Sequence, residues 1–263
     1  MDKRPIGILD SGLGGLTVLK KVIDKLPQES TVFIGDQKNM PYGDKNREQI
    51  ISLTRKSVDF LMSKNVKTII FGCNTATAWA MDVIQKEIPI QIIGVIQSGA
   101  LAANNTTATN KIAVLGTQAT VNSHAYLKEL HNRNADLEVT ELSEPKLAPL
   151  VEKNPTEDIK KKVVRESLVP LKEVDYDTLI LGCTHYPLLR NEIAEVIGEN
   201  KKIVDPADQV AQYTYNILKR DNLLNGENSA KHTYFTTGDA ENFEKIARIW
   251  MDDPNLKANH VED

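Results

Sequence analysis

Two stretches lying 110 residues apart constrain this chain more than anything else in it: Ile69-Ile70-Phe71-Gly72-Cys73-Asn74-Thr75 and Leu179-Ile180-Leu181-Gly182-Cys183-Thr184-His185. Each is an apolar run of strand type closed by Gly, then Cys, then small hydrogen-bonding residues, and each leads into a helical pattern. Strand, turn and helix alternate in this way along the whole chain, which predicts an α/β protein with mainly parallel sheets flanked by helices. The two stretches hold the only cysteines in the sequence. A thiol at the end of each of two buried strands predicts two similar halves facing one cleft, each contributing one ionisable sulfur.

Taken in order, Ile6 to Leu9 is a short buried strand, and Asp10-Ser11-Gly12-Leu13-Gly14-Gly15 is a Gly-rich turn. Leu16, Leu19, Ile23 and Leu26 then recur at helical spacing. The turn resembles half of a dinucleotide fingerprint, but Thr17 stands where the third Gly is needed. Backbone N–H groups at the helix start still make an anion site, and Asp10 sits where open parallel sheets bind ligands. Thr31 to Asp36 is a second strand. The turn-rich loop Asn39 to Asp44 follows, with Tyr42 read either as a lid on the core or, with Gly43, as a substrate-facing element. A helix from Arg47 to Asn65, the Cys73 strand, a helix to Ile84 and a strand from Ile90 to Val95 complete the first run. Residues 96–110 read as the passage between halves, with a short Ala-rich helix (Gly99 to Ala103) and a polar linker (Asn104 to Asn110).

The pattern then begins again. Lys111 to Gly116 is a strand, Val121 to Leu130 a helix, Leu137 to Leu142 a strand and Glu157 to Leu171 a long charged helix. After the Cys183 strand, Pro187 suits a first helical turn. Ile203 to Pro206 reads as a strand, Ala207 to Leu218 and Ala240 to Met251 as helices, and Ala258 to Val261 as a last strand. The stretches at Cys73, Thr117 and Cys183 share one form, which suggests a duplicated half and is also what any strand-to-helix turn looks like.

At 263 residues the chain suits one large or two small domains. A net charge of −4 argues against nucleic acid as a partner. The longest block of like charge, Lys160-Lys161-Lys162, reads as a solvated helix face. The opening residues run straight into a strand without a signal-peptide pattern, and no apolar run is long enough for a membrane. The expectation is therefore a cytoplasmic protein with no membrane association and reduced thiols. The cysteine spacing fits neither a zinc finger nor a CxxC pair.

A cysteine closing a buried strand is by default an inert core residue. Here both stand at strand-to-helix junctions, and a helix start beside each sulfur is expected to favour the thiolate, below its ordinary value of about 8.5. His185, two residues beyond Cys183, is placed to hold or take a proton, and Asp10 to do the same beside Cys73. Read alone, His185 is a structural hydrogen-bonder and Asp10 a turn former. Two thiols without redox chemistry point to proton transfer at carbon from opposite faces, one removing a proton while the other delivers one. The alternative, one Cys nucleophile served by His185, leaves the other Cys unexplained.

These motifs resemble the signatures of glutamate racemase. They are Asp10-Ser11-Gly12-Leu13-Gly14-Gly15, Pro41-Tyr42-Gly43, Gly72-Cys73-Asn74-Thr75-Ala76 and Gly182-Cys183-Thr184-His185-Tyr186-Pro187, with Pro149-Leu150-Val151-Glu152 and Phe235-Thr236-Thr237-Gly238-Asp239 in the expected places. Order and spacing fit along essentially the whole chain. One departure is Gln97-Ser98-Gly99-Ala100-Leu101, where the family usually has Pro and then Gly-Ala-Arg. The resemblance implies a cofactor-independent racemase, with no metal, that interconverts L- and D-glutamate for peptidoglycan precursors, with a homodimer expected. It implies two α/β domains with one Cys from each. The expected division is residues 1–96 plus 207–263, carrying Asp10 and Cys73, and residues 97–206, carrying Cys183 and His185. By motif match Cys73 and Cys183 are the acid/base pair, Asp10 and His185 assist their respective sulfurs, and Glu152 assists on the His185 side. Ser11, Tyr42, Gly43, Asn74, Thr75 and Thr184, with Asp10 and His185, would hold the substrate. The rival readings are an aspartate racemase of the same superfamily, a non-catalytic amino-acid binding protein, and a metal enzyme using Cys73, Cys183, His185 and Asp10 as ligands.

Overall fold

The computed structural model describes residues 1–227 and 229–262. Among these the strands, in chain order, are β1 (Ile6–Asp10), β2 (Thr31–Gly35), β3 (Thr68–Phe71), β4 (Ile92–Gly94), β5 (Lys111–Gly116), β6 (Glu138–Ser143), β7 (Thr178–Gly182), β8 (Lys202–Val204), β9 (His232–Thr236) and β10 (Ala258–His260). They form two sheets, β10-β9-β2-β1-β3-β4 and β6-β5-β7-β8, and every pairing in both is parallel. This is the expected α/β class. β1, β3 and β7 are buried along their whole length, which is why they read as continuous apolar runs rather than alternating ones.

The two sheets share a four-strand pattern. β2-β1-β3-β4 in the first corresponds to β6-β5-β7-β8 in the second. Leu9 pairs with Phe71 and Gly116 with Gly182, so continuing the registers, two positions on in the first sheet and one in the second, sets Ser11 beside Cys73 and Thr117 beside Cys183. The repeated sequence form therefore reflects a repeated position. Both cysteines leave the carboxyl end of the third strand of their unit, where open parallel sheets hold ligands.

Two long helices carry the chain between the sheets, Val95–Thr106 outward and Pro206–Arg220 back, and they pack on one another. Their apolar faces (Val95, Ile96, Ala100, Ala103 and Val210, Ala211, Ile217, Leu218) join Ile6 and Ile8 of one sheet to Ile112, Val114 and Ile180 of the other in one core. The first helix is longer than the expected Gly99 to Ala103, taking in Val95 and Ile96 before it and Asn104 to Thr106 of the supposed linker. A second correction concerns Val121 to Leu130. The chain makes two helices there, Gln118–Ser123 and Ala125–Arg133, broken at His124, whose φ of 51° is left-handed. A third is the charged helix, which ends at Ser167 and continues as a 3₁₀ turn over Val169–Glu173, because Pro170 has no N–H for an α-helix to use.

At the end of the sheet away from the cysteines lies a buried ion pair, Lys67 Nζ to Glu29 Oε2 at 2.5 Å, with side chains 0% and 2% exposed. Lys67 also donates to the carbonyls of Asp2 (2.9 Å) and Leu223 (2.7 Å), and Glu29 Oε1 accepts from the Asn225 N–H at 2.8 Å. Among the described residues no helix is long and apolar enough to cross a membrane.

Candidate active site

The carboxyl ends of β1, β3, β5 and β7 open onto a cavity with about 620 Å³ of empty space, part of it open to solvent. Ser11, Tyr42, Gly43, Cys73, Asn74 and Thr75 line it from one sheet's loops, and Glu152, Cys183, Thr184 and His185 from the other's. Met40, Pro41, Thr117, Ala148 and Pro149 complete most of the wall. Both cysteines are free thiols and both are buried.

Cys73 is the N-cap of the helix Asn74–Ile84, and its Sγ accepts from the Ala76 N–H at 3.4 Å. Ser11 Oγ lies 3.5 Å from the same sulfur. A helix start favours a thiolate, but it does not win. Burial, and after it the neighbouring Asp10 carboxylate, outweigh the Ser11 and Ala76 contacts, and the Cys73 thiol is pushed up to about 12. The expected lowering at this sulfur is therefore reversed, and Cys73 holds its proton. Cys183 differs from expectation in another way. It is followed not by an α-helix but by a 3₁₀ turn, Tyr186–Leu189, with Pro187 in its first turn, and the α-helix begins only at Arg190.

The Cys183 sulfur has a cationic partner instead. His185 Nδ1 lies 3.8 Å from Sγ, and Nε2 is 3.0 Å from Glu152 Oε1. Burial disfavours the charged ring, yet the bonds to Cys183 and Glu152 and the nearby negative charge outweigh it, and His185 is pushed up to about 10. The Trp250 ring packs edge-on to His185 with centroids 6.0 Å apart. The two sulfurs thus stand in opposite electrostatic settings, a carboxylate beside one and an imidazolium beside the other.

Asp10 does not line the cavity. It lies one layer behind, accepting at Oδ1 from the Gly12 N–H (2.9 Å) and at Oδ2 from the Thr184 hydroxyl (3.2 Å), a bond that crosses between the halves. Burial raises its carboxyl above the usual range, opposed by the His185 charge and by the Gly12, Gly15 and Thr184 donors. The anion received by the Gly-rich turn is thus the chain's own Asp10. Thr17, which spoils the dinucleotide fingerprint, donates to the carbonyls of Gly14 (2.9 Å) and Thr184 (3.0 Å). A Cβ on Gly14 would sit 2.2 Å from Thr184 Oγ1 and 2.7 Å from His185 Nδ1, so only Gly lets the halves meet here.

The remaining polar groups are held by donors and acceptors of their own. Tyr126 donates to Asn74 Oδ1 at 2.7 Å. This fixes the amide so that its N–H pair is the group left to offer. The hydroxyls of Thr75, Thr117 and Thr120 form a triangle with sides of 2.9 to 3.1 Å. The Tyr42 hydroxyl donates to Asp36 at 2.6 Å, so this residue enters the wall with its polar end already occupied. Thr117 and Trp250 are among the site neighbours that sequence reasoning did not pick out. Thr117 carried a signal, since its stretch shares the form of the Cys73 and Cys183 stretches. Trp250 carried none, arriving from a helix 65 residues further along. Among the described residues no three His, Cys, Asp or Glu side chains converge as metal ligands would.

Comparison with known proteins adds a separate line of observation. Residues 6–214 match the Asp/Glu/Hydantoin racemase family. The chain is 67% identical to a glutamate racemase from Lactobacillus johnsonii, over 100% of this chain and 99% of that one. A glutamate racemase isoform from Bacillus anthracis has the same fold, with a TM-score of 0.96 at 39% identity, covering 100% of this chain and 98% of that one. A Francisella tularensis glutamate racemase, solved in complex with D-glutamate, gives 0.90 at 32% identity over 100% and 97% of the two chains.

Proposed function

This chain belongs to the Asp/Glu/Hydantoin racemase family, and on that premise we propose that it interconverts L- and D-glutamate without a cofactor, using Cys73 and Cys183 as a two-base pair. The observation that carries the reading is the placement of two thiols at equivalent strand ends of two sheets, lining one cavity. With the substrate's Cα between them, one sulfur removes the proton from one face while the other delivers a proton to the opposite face. Cys73 keeps its proton in the resting site, and the imidazolium of His185 is the partner for negative charge at Cys183.

The Cα proton of an amino acid is very weakly acidic, so the charge developing at carbon and carboxylate needs donors already in position in a site closed to water. The Asn74 amide, the Ser11, Thr75, Thr117 and Thr184 hydroxyls, and the backbone around Gly43 supply that polar lining. Asp10 acts through Thr184 and through its charge beside Cys73, and Glu152 through His185. In this reading residues 1–96 with 207–263 form one lobe and residues 97–206 the other. The product supplies peptidoglycan precursors in the cytoplasm, and the working assembly is a homodimer.

The test is incubation with L-glutamate in D₂O, following both optical rotation and the Cα proton signal. Decay of rotation with deuterium entering at Cα is the expected result. A folded protein that neither racemises nor exchanges glutamate overturns the reading, and turnover of aspartate instead moves it to the sister activity. The pH profile gives a further check. The alkaline limb of kcat/KM should lie near pH 10, where His185 loses its proton. Glu152→Gln removes an anion that holds that proton, so the limb should move down by on the order of one pH unit. A limb that stays in place would separate Glu152 from the His185 titration.

A further inference from the structure

The Phe235-Thr236-Thr237-Gly238-Asp239 stretch is far from every catalytic group in sequence and contributes nothing to the cavity wall. Its place in the fold gives it a task. β9 runs parallel to β2, with Thr236 beside Gly35, so the turn leaving β9 lies against the turn leaving β2. That second turn begins the segment 37–44, which brings Met40, Pro41, Tyr42 and Gly43 to the cavity.

The contacts between the two turns are dense and specific. Thr237 donates from its hydroxyl to Asp36 Oδ1 at 2.7 Å, accepts at the same oxygen from the Lys38 N–H at 3.1 Å, and donates its N–H to the Gly35 carbonyl at 3.1 Å. Thr236 donates to Gln37 Oε1 at 2.8 Å. Asp36 itself is 2% exposed. Besides Thr237 it accepts from the Tyr42 hydroxyl at 2.6 Å and the Asn39 amide at 3.0 Å. Gly238 presses so closely that a Cβ there would lie 2.8 Å from Gln37 Cβ. A buried carboxylate is costly unless its oxygens are filled with donors. Asp36 therefore fixes its three donors relative to one another, and one of them is in the wall of the site.

We propose that Asp36 and the Thr236-Thr237-Gly238 turn are positioning elements that clamp the 37–44 segment, and with it Tyr42 and Gly43, in its substrate-receiving conformation. This rests on the glutamate reading of the cavity for its catalytic readout, but not for its structural one.

The test is Thr237→Val, which keeps shape and removes the hydroxyl, with Thr237→Ser as the rescue. In Thr237→Val the Lys38 N–H loses its acceptor, so amide hydrogen exchange across residues 37–44 should quicken by about tenfold while the central strands are unaffected. KM for glutamate should rise by about tenfold with kcat within about threefold of the parent, the pattern of a lost positioning contact rather than lost chemistry. Thr237→Ser should restore both. Unchanged exchange in Thr237→Val overturns the clamp. Faster exchange with unchanged KM well below the melting temperature leaves only a structural anchor and overturns the positioning role. A parent protein inactive on glutamate would defeat the functional reading alone, since the exchange measurement still decides the clamp.

Discussion

Cys73→Ser and Cys183→Ser are each expected to lose racemisation of glutamate by roughly 10³-fold or more, the upper part of the range for a positioned proton carrier. Serine keeps the shape, but its hydroxyl is far too weak an acid to exist as an alkoxide in a buried site. The remaining thiol still faces one side of Cα, so each variant can at most exchange deuterium into a single enantiomer without inverting it. The two variants should differ in which enantiomer that is. Near-normal turnover in both directions by either variant, measured as optical rotation and Cα deuteration, would rule out two-base chemistry. Loss of ligand binding together with turnover would instead mark the cysteines as packing residues.

Breaking the Lys67–Glu29 pair should have the largest effect on stability. Both side chains are buried, and Lys67 ties together the N-terminal residues, β3 and the segment that follows the helix Pro206–Arg220. Glu29→Ala leaves an ammonium without its counter-charge and the Asn225 N–H without its acceptor. Removing one member of such a pair costs about 3–5 kcal/mol. For a chain of this size that is a fall in melting temperature on the order of 10 °C. The double variant Glu29→Leu/Lys67→Met should lose less than Glu29→Ala, since no charge is then stranded in the interior. A calorimetric scan in which Glu29→Ala melts within a degree or two of the parent would sink this account. Activity at room temperature should change little, because the pair lies at the opposite end of the sheet from the thiols.

Much of this architecture is legible in the sequence, because fully buried parallel strands write themselves as short apolar runs. Ile6 to Leu9, Ile69 to Phe71 and Leu179 to Leu181 need no further context. The misreadings have local causes. Val95 and Ile96 continue the apolar run of β4, so a strand-like pattern hides the first turn of the crossover helix. The break at His124 comes without Gly or Pro, and only the backbone reveals it. At the site, residue types and spacing identify Cys73, Cys183 and His185 as candidates, the family resemblance adds Glu152, and the fold brings all four to one cavity. Sequence spacing cannot give the sign of the electrostatics. The helix start at Cys73 argued for a thiolate, and only the depth of burial and the Asp10 carboxylate behind it reverse that. The contact between Asp36 and Thr237 was not legible, because the two lie some 200 positions apart and meet only through the pairing of β2 with β9.

The unlike surroundings of the two sulfurs have a thermodynamic consequence. In water the two enantiomers of glutamate have equal free energy, so the equilibrium constant of the proposed reaction is one. Both directions start from free enzyme and free substrate at the same level and cross the same highest barrier, so kcat/KM must be identical for the two. The carboxylate behind Cys73 and the imidazolium beside Cys183 are therefore unable to favour either direction in that ratio. Whatever preference they create must appear as a higher kcat matched by a proportionately higher KM. The asymmetry of the site decides how tightly each hand is held and how fast it is turned over, and never which hand prevails.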